Sequence, residues 1–223
     1  MDTALAKEAF AKVAAGFVLM ALLLFLPAGT IRWWNGWLLM GCLFVPMVGA
    51  GIVMLFKAPE LVRRRLNARE SEDDQQLVVK LSGLMFVAAF VLAGLGYRFG
   101  WAQFPRVVCI IAAVAFVAGY ALFAEVLREN EYLSRTIEVS QGQHVIDTGL
   151  YGVVRHPMYA ATLIMFMAMP VMLGSPFSLV VMLAYLPIIN ARMEGEERVL
   201  AQELEGYTDY LKRVRWRVIP HLW

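Results

Sequence analysis

The chain has 223 residues, 60% of them hydrophobic and 17% charged, with a mean hydropathy of +0.62 and a formal net charge of +2. That apolar fraction excludes an ordinary water-soluble domain, and the small net charge gives no basis for a nucleic-acid partner. Repeated apolar runs of roughly 18 residues or more, long enough to cross a ~30 Å hydrocarbon core as helix, instead define a polytopic membrane protein.

The first span is expected over 13–26, stopped by Pro27-Ala28-Gly29. It lacks a small-x-small cleavage site after Leu26 and reads as a retained helix rather than a signal peptide. Trp33, Trp34 and Trp37 then mark an interfacial aromatic belt. A second span covers 37–56, with a kink expected at Pro46. The polar segment 57–80, with Arg63-Arg64-Arg65 and Glu70-Ser71-Glu72-Asp73-Asp74, is expected as a surface loop, its arginines serving as topology determinants and lipid-phosphate contacts. Spans three and four follow at 81–97 and 104–127.

Residues 132–148 read as loop or short extended structure. An apolar hairpin, 157–173 and 177–190, turns at Leu173-Gly174-Ser175-Pro176, and Pro157 suits the first turn of its first helix. An amphipathic helix is expected over 192–210, followed by a basic and aromatic tail. Tyr207, Tyr210, Trp216 and Trp223 are expected as interfacial anchors. With the N-terminus cytoplasmic and six crossings, all of the 20 Lys and Arg except Arg32, Arg98 and Arg106 fall on the cytoplasmic side, as the positive-inside rule requires. The fold expected is an all-α helical bundle of five to six spans with a C-terminal amphipathic helix. Cys42 and Cys109 lie in apolar runs, and the three histidines are scattered, so neither a disulfide framework nor a metal site is expected.

The hairpin returns two polar clusters to one membrane boundary: Arg155-His156-Pro157 before it and Arg192, Glu194, Glu196 and Glu197 after it. The first is either an anchor for lipid phosphates or, at a helix N-terminus, a seat for a ligand carboxylate. The glutamates either form a solvated salt-bridge network with Arg192 and Arg198 or bind a ligand ammonium or sulfonium. Together the clusters match the opposite charges of an amino-acid-like cofactor.

From about residue 141 onward the sequence resembles the isoprenylcysteine carboxyl methyltransferase family. The resemblance rests on Gly149-x-Tyr151 leading into Arg155-His156-Pro157-Met158-Tyr159, on Arg192-x-x-x-Glu196-Glu197-x-x-Leu200, on Gly206-Tyr207-x-x-Tyr210, and on Arg217-x-x-Pro220. It implies a membrane-embedded methyltransferase using S-adenosylmethionine, with S-adenosylhomocysteine as product and no metal. It further implies that His156, Pro157 and Tyr159 line the cofactor pocket with His144 and Val145, that Glu196 and Glu197 hold the amino end, and that Gly149 and Tyr151 shape the adenosine wall. Arg155 and Arg192 resemble the arginines that face the reacting carboxylate. The single membrane domain, 1–223, would then divide into a helical scaffold (1–130) and a cofactor-binding catalytic core (131–223). A lipophilic small molecule would arrive from the bilayer, and the enzyme would sit in the cell inner membrane with both termini cytoplasmic.

Phospholipid N-methyltransferases and thiol S-methyltransferases with a similar core are alternatives. A steroid-reductase type of membrane enzyme, dependent on NADPH, shares Arg-His-Pro-x-Tyr and a late Tyr-x-x-Tyr before Ile-Pro. There Asn is expected at the position of Met158 and Gly-Glu soon after Tyr159, so Ala160-Ala161 argue against it. A non-catalytic membrane protein is the third class.

Overall fold

A computed structural model describes residues 3–67, 73–130, 132–133, 139 and 142–223. Glu70, Ser71, Glu72 and Arg135, which entered the sequence reading, lie outside the described residues. The described residues are all-helical: α1 Thr3–Ala28, α2 Trp34–Lys57, α3 Pro59–Asn67, α4 Asp73–Arg98, α5 Arg106–Glu129, α6 Pro157–Met172, α7 Pro176–Met182, α8 Tyr185–Glu203 and α9 Tyr207–Arg213. Among the described residues, five segments are long and apolar enough to cross a membrane: α1, α2, 76–98 of α4, α5, and α7–α8 taken together. The 57–80 segment is thus not a loop throughout, because it contains α3 and the first turns of α4.

The hairpin also differs from the expected pair of full spans. Helix α6 has 16 residues, about 24 Å at the α-helical rise, short of a ~30 Å hydrocarbon core. Its C-terminus is buried at one end of the bundle, where Asn35 donates to the Met172 carbonyl at 2.6 Å. The following helix breaks at Leu183-Ala184 between α7 and α8. Pro187 explains the break, since it has no N–H to offer the carbonyl four residues earlier and its ring crowds that turn. Helix α8 then runs without interruption from Tyr185 through Arg192 to Glu203, carrying the apolar and polar halves on one rod. The amphipathic helix expected over 192–210 is instead the second half of α8, a turn containing left-handed Gly206, and α9.

Helices α1, α2, α4, α5 and α6 enclose one core that includes fully buried Leu24, Leu39, Phe116 and Met172. Close helix crossings rest on glycine, because in lipid helices associate by packing rather than by hydrophobic expulsion. A Cβ on Gly94 would lie 2.7 Å from the Leu24 carbonyl oxygen, and one on Gly119 would lie 3.2 Å from the Ala161 carbonyl oxygen. The three turns 29–33, 99–105 and 173–175 share one end of the bundle, joined by the Phe104 N–H to Gly174 carbonyl bond of 2.9 Å. Residues 142–156 and the C-terminal tail gather at the other end.

Substituting Gly94→Ala is expected to cost about 1–3 kcal/mol by forcing α1 and α4 apart. Gly83→Ala, on the same helix with open space around it, is expected to be neutral or stabilising by up to about 1 kcal/mol. Thermal unfolding of the two variants in detergent checks the contrast.

Candidate active site

The chain reaches the site end through the 3-10 turn Gly149–Gly152. Glu129, at the end of α5, accepts from the Leu150 N–H at 2.9 Å and leaves no room for a side chain at Gly149, whose φ is also positive at +52°. Gly149 is therefore a glycine for steric reasons, behind the wall rather than on it. Two residues of the C-terminal tail then pair with the approach to α6. The Arg155 N–H donates to the Trp216 carbonyl at 2.9 Å and the His156 N–H to the Arg217 carbonyl at 2.8 Å. Pro157 opens α6, where its missing N–H removes no helical bond.

This pairing brings Arg217 beside Glu197 of α8. One oxygen of the Glu197 carboxylate lies 3.0 Å from Nε2 of His156 and 3.1 Å from Nη1 of Arg155, while the other accepts from Nη2 of Arg217 at 2.8 Å. A carboxylate only accepts, so Nε2 of His156 carries the hydrogen. Both oxygens are thus engaged, and the Glu197 side chain is 11% exposed. Arg217 also reaches Oδ1 of Asn190 at 3.3 Å and lies 3.8 Å from Glu194.

Beside this cluster is a cavity of about 350 Å³, within the size range of small-molecule and cofactor sites. Its wall includes eight of the residues expected from the sequence: His144, Val145, Tyr151, Arg155, His156, Tyr159, Arg192 and Glu196. Gly149, Pro157 and Glu197 lie outside that wall. The physical reason for Glu197 is helix geometry. Successive residues point about 100° apart, which here turns the two carboxylates toward different neighbours. Glu196 faces the cavity and accepts from the Tyr159 hydroxyl at 2.6 Å, and Arg192 bonds the same hydroxyl. Glu197 faces the ion cluster behind it.

The expectation that Tyr207 and Tyr210 anchor the chain at the interface is overturned. Both are buried and line the cavity, and Tyr210 donates to the Tyr151 carbonyl at 2.8 Å. Asn130 donates to the Tyr151 hydroxyl at 2.9 Å, and the Tyr132 hydroxyl meets Nδ1 of His144 at 3.1 Å. The phenols of Tyr151, Tyr207 and Tyr210 are all pushed upward, chiefly by burial, so they remain protonated donors at neutral pH. The opposite side of the chamber is apolar, formed by Val78 and Val79 of α4, Phe166 of α6 and Ile188 and Ile189 of α8. Tyr185, held by a 2.7 Å hydroxyl contact with Thr162, stands between the two halves of the wall. The α4 contribution had no signal in the sequence; the Tyr-x-x-Tyr spacing in the late motif was the available signal for Tyr207 and Tyr210. Among the described residues, no group of three or more His, Cys, Asp or Glu could hold a metal ion.

A multi-pass helical membrane protein with a partly open chamber at one end, polar on one side and apolar on the other, is the class that the fold and site define. Within that class, residues 107–202 match the isoprenylcysteine carboxyl methyltransferase (ICMT) family. The matched stretch runs from α5 to the end of α8 and contains His156, Glu196 and Glu197. The chain is also similar to two Delta(14)-sterol reductases. It is 26% identical to that of Methylotuvimicrobium alcaliphilum over 130 residues, covering 51% of this chain and 30% of the relative. It is 29% identical to that of Mus musculus over 92 residues, covering 40% of this chain and 22% of the relative. The chain thus spans less than a third of the length of the curated relatives it matches.

Removing the Glu197 charge leaves Arg155 and Arg217 without their shared counter-ion in a largely buried setting. Glu197→Gln is expected to lower stability by about 3 kcal/mol or more, and Glu196→Gln by much less, in thermal unfolding of the detergent-solubilised protein. A pH profile gives a second check. The three phenols hold their protons more tightly in the folded chain than at their ordinary value of 10.0. Their contribution is therefore complete below about pH 10 and is lost as pH rises above it. Melting temperature is expected to be level between pH 7 and 9 on their account and to fall above 10, with a shallower fall in Tyr207→Phe.

Proposed function

We propose that the protein is an integral membrane methyltransferase that transfers a methyl group from S-adenosylmethionine to the carboxylate of an isoprenylcysteine-like lipophilic acceptor. The observation that carries this reading is the two-sided chamber, which sets cationic, anionic and apolar groups around one cavity lined mostly by the region matched by the ICMT family. The fit to a zwitterionic cofactor rests on an orphaned group. Nε of Arg155 is buried in the wall with no hydrogen-bond partner among the described residues, and a buried unmet donor costs about 1–3 kcal/mol unless a ligand accepts from it. A ligand carboxylate supplies that acceptor, while Glu196 supplies the negative charge for an ammonium.

His144, Val145, Tyr151, His156, Tyr159 and Glu196 would hold the cofactor, with Tyr207 and Tyr210 added to the set. S-adenosylmethionine, when bound, supplies an electrophilic methyl group on a sulfonium. The protein's part is alignment: a carboxylate acceptor is already ionised, so no side chain needs to take a proton, and fixed geometry provides most of the rate. Arg192 offers a planar guanidinium fork that orients a carboxylate with two parallel bonds, which a lysine cannot reproduce. Val78, Val79, Phe166, Ile188 and Ile189 would receive the apolar part of the acceptor and keep water away from it. Burial protects the phenolic donors around the polar side from competing ionisation. The chamber would face the cytoplasm, where the soluble cofactor is found, with both termini on that side and the membrane being the cell inner membrane.

A second reading is a membrane reductase of the steroid type, favoured by the likeness to two Delta(14)-sterol reductases. In that reading Tyr159, fixed by Glu196 and Arg192, would be placed to donate a proton. The residues after it, Ala160-Ala161 in place of Gly-Glu, weigh against it.

Isothermal titration of the purified protein with S-adenosylmethionine and, separately, with NADPH distinguishes the readings. The expected result is binding of S-adenosylmethionine alone, with affinity lowered about tenfold or more in Glu196→Gln, the scale of one lost hydrogen bond to a charged group. Binding of NADPH alone would move the assignment to the reductase.

A further inference from the structure

The end of the bundle opposite the chamber has a charge imbalance that the protein does not neutralise. Residues 9–59, 75–124 and 148–193 contain no Asp or Glu, and they supply all three turns at that end. The cations there are Arg32, Arg98 and Arg106, all exposed. Arg106 lies 4.9 Å over the Trp34 ring and Arg98 lies 5.7 Å over the Phe99 ring. These aromatic faces orient the guanidiniums but provide no countercharge.

The same end has a lipid-facing groove between α1 and α2, about 550 Å³ in volume and walled by Val18, Ala21, Leu22, Phe25, Ile31 and Trp37 among others. Its floor and end are built rather than incidental. The Phe25 and Trp37 rings pack at 4.8 Å, and the Trp37 Nε1–H donates to the Ile31 carbonyl at 2.7 Å, fixing the indole as an end wall. Gly29 and Thr30 also border the groove. The Arg98 side chain lies against Gly29, with its Nε 3.4 Å from where a Cβ would be, and the Arg32 N–H bonds the Thr30 hydroxyl at 3.1 Å. One guanidinium therefore stands directly at the groove's mouth and a second is borne by the loop that closes it.

We propose that this groove and its arginines form a binding site for one anionic membrane phospholipid. An acyl chain lies along the groove between α1 and α2, and the headgroup phosphate takes the hydrogen bonds of Arg98 and the charge of Arg32. Zwitterionic phospholipids fit the groove equally well but offset less of the positive charge, so the site selects for net negative headgroups. It is independent of the methyl-transfer reading, because it shares no residue with the chamber.

Native mass spectrometry of the full chain, released from detergent after incubation with phosphatidylglycerol or phosphatidylcholine, tests the site. One retained phosphatidylglycerol per chain is expected, in preference to phosphatidylcholine. Retention is expected to fall about fivefold in Arg98→Gln and further in the double variant with Arg32→Gln, following the usual effect of one basic residue at an anionic membrane surface. Arg128→Gln, at the chamber end and paired with Glu125, should leave retention unchanged. Ala21→Phe, which fills the groove, should lower retention of both lipids. Equal retention of the two lipids, insensitivity to Arg98→Gln, or a lipid-free dimer associated through α1 and α2 would overturn the proposal. Arg98 is exposed, so its variant is expected to fold and is decisive even if Ala21→Phe is not.

Discussion

The carboxylate of Glu197 is the interaction on which the site depends. It joins three separate parts of the chain: the approach to α6 through Arg155 and His156, α8 through its own backbone, and the C-terminal tail through Arg217. Charges removed from water are costly, and the cost is recovered only where partners and hydrogen bonds are complete. Here both carboxylate oxygens are used, and the two backbone bonds between 155–156 and 216–217 hold the cationic partners in place. The tail is therefore a structural member of the site rather than an appendage on the membrane surface.

Securing Glu197 in this way leaves its neighbour free for other work. Because α8 rotates by about 100° per residue, Glu196 projects into the chamber while Glu197 stays in the cluster. The consecutive glutamates divide between two surroundings: one joins α6, α8 and the tail, and the other puts its carboxyl group into the chamber wall. Arg155 connects the two, since Nη1 is committed to Glu197 while Nε has no partner among the described residues. A ligand acceptor at that nitrogen would complete a network that the protein alone leaves one bond short.

The sequence made the membrane class, the placement of most long helices and the meeting of the two polar clusters legible, because each depends on local signals: apolar run length, turn residues and charge position. It did not reveal which side of α8 each glutamate occupies in three dimensions. The burial of Tyr207 and Tyr210 was illegible for a different reason. A tyrosine near a predicted membrane boundary has the same local signature whether its ring meets lipid or closes a pocket, and only the fold of 204–214 back onto 145–151 decides between them. Val78 and Val79 were similarly hidden, since two apolar residues at the start of a span give no sign of facing a cavity. The break at Leu183-Ala184 was readable from Pro187, yet the apolar run around it masked the signal.

The chain is similar both to a methyltransferase family and to sterol reductases. Both chemistries must bring a soluble, charged cofactor and an apolar substrate to one point at a membrane surface. In this chain one cavity has charged and phenolic groups on one side and aliphatic groups from the helices on the other. What separates the chemistries is the need for a proton. Methyl transfer to an ionised carboxylate requires none, and alignment suffices; reduction of a double bond must deliver one from a positioned acid. Tyr159 is buried against Glu196 and Arg192. Its proton is already committed to a carboxylate, so releasing it to a substrate would require that 2.6 Å bond to break. An arrangement that keeps the phenol as a fixed strut between Glu196 and Arg192 suits a site that orients charges better than one that delivers protons, and this favours methyl transfer.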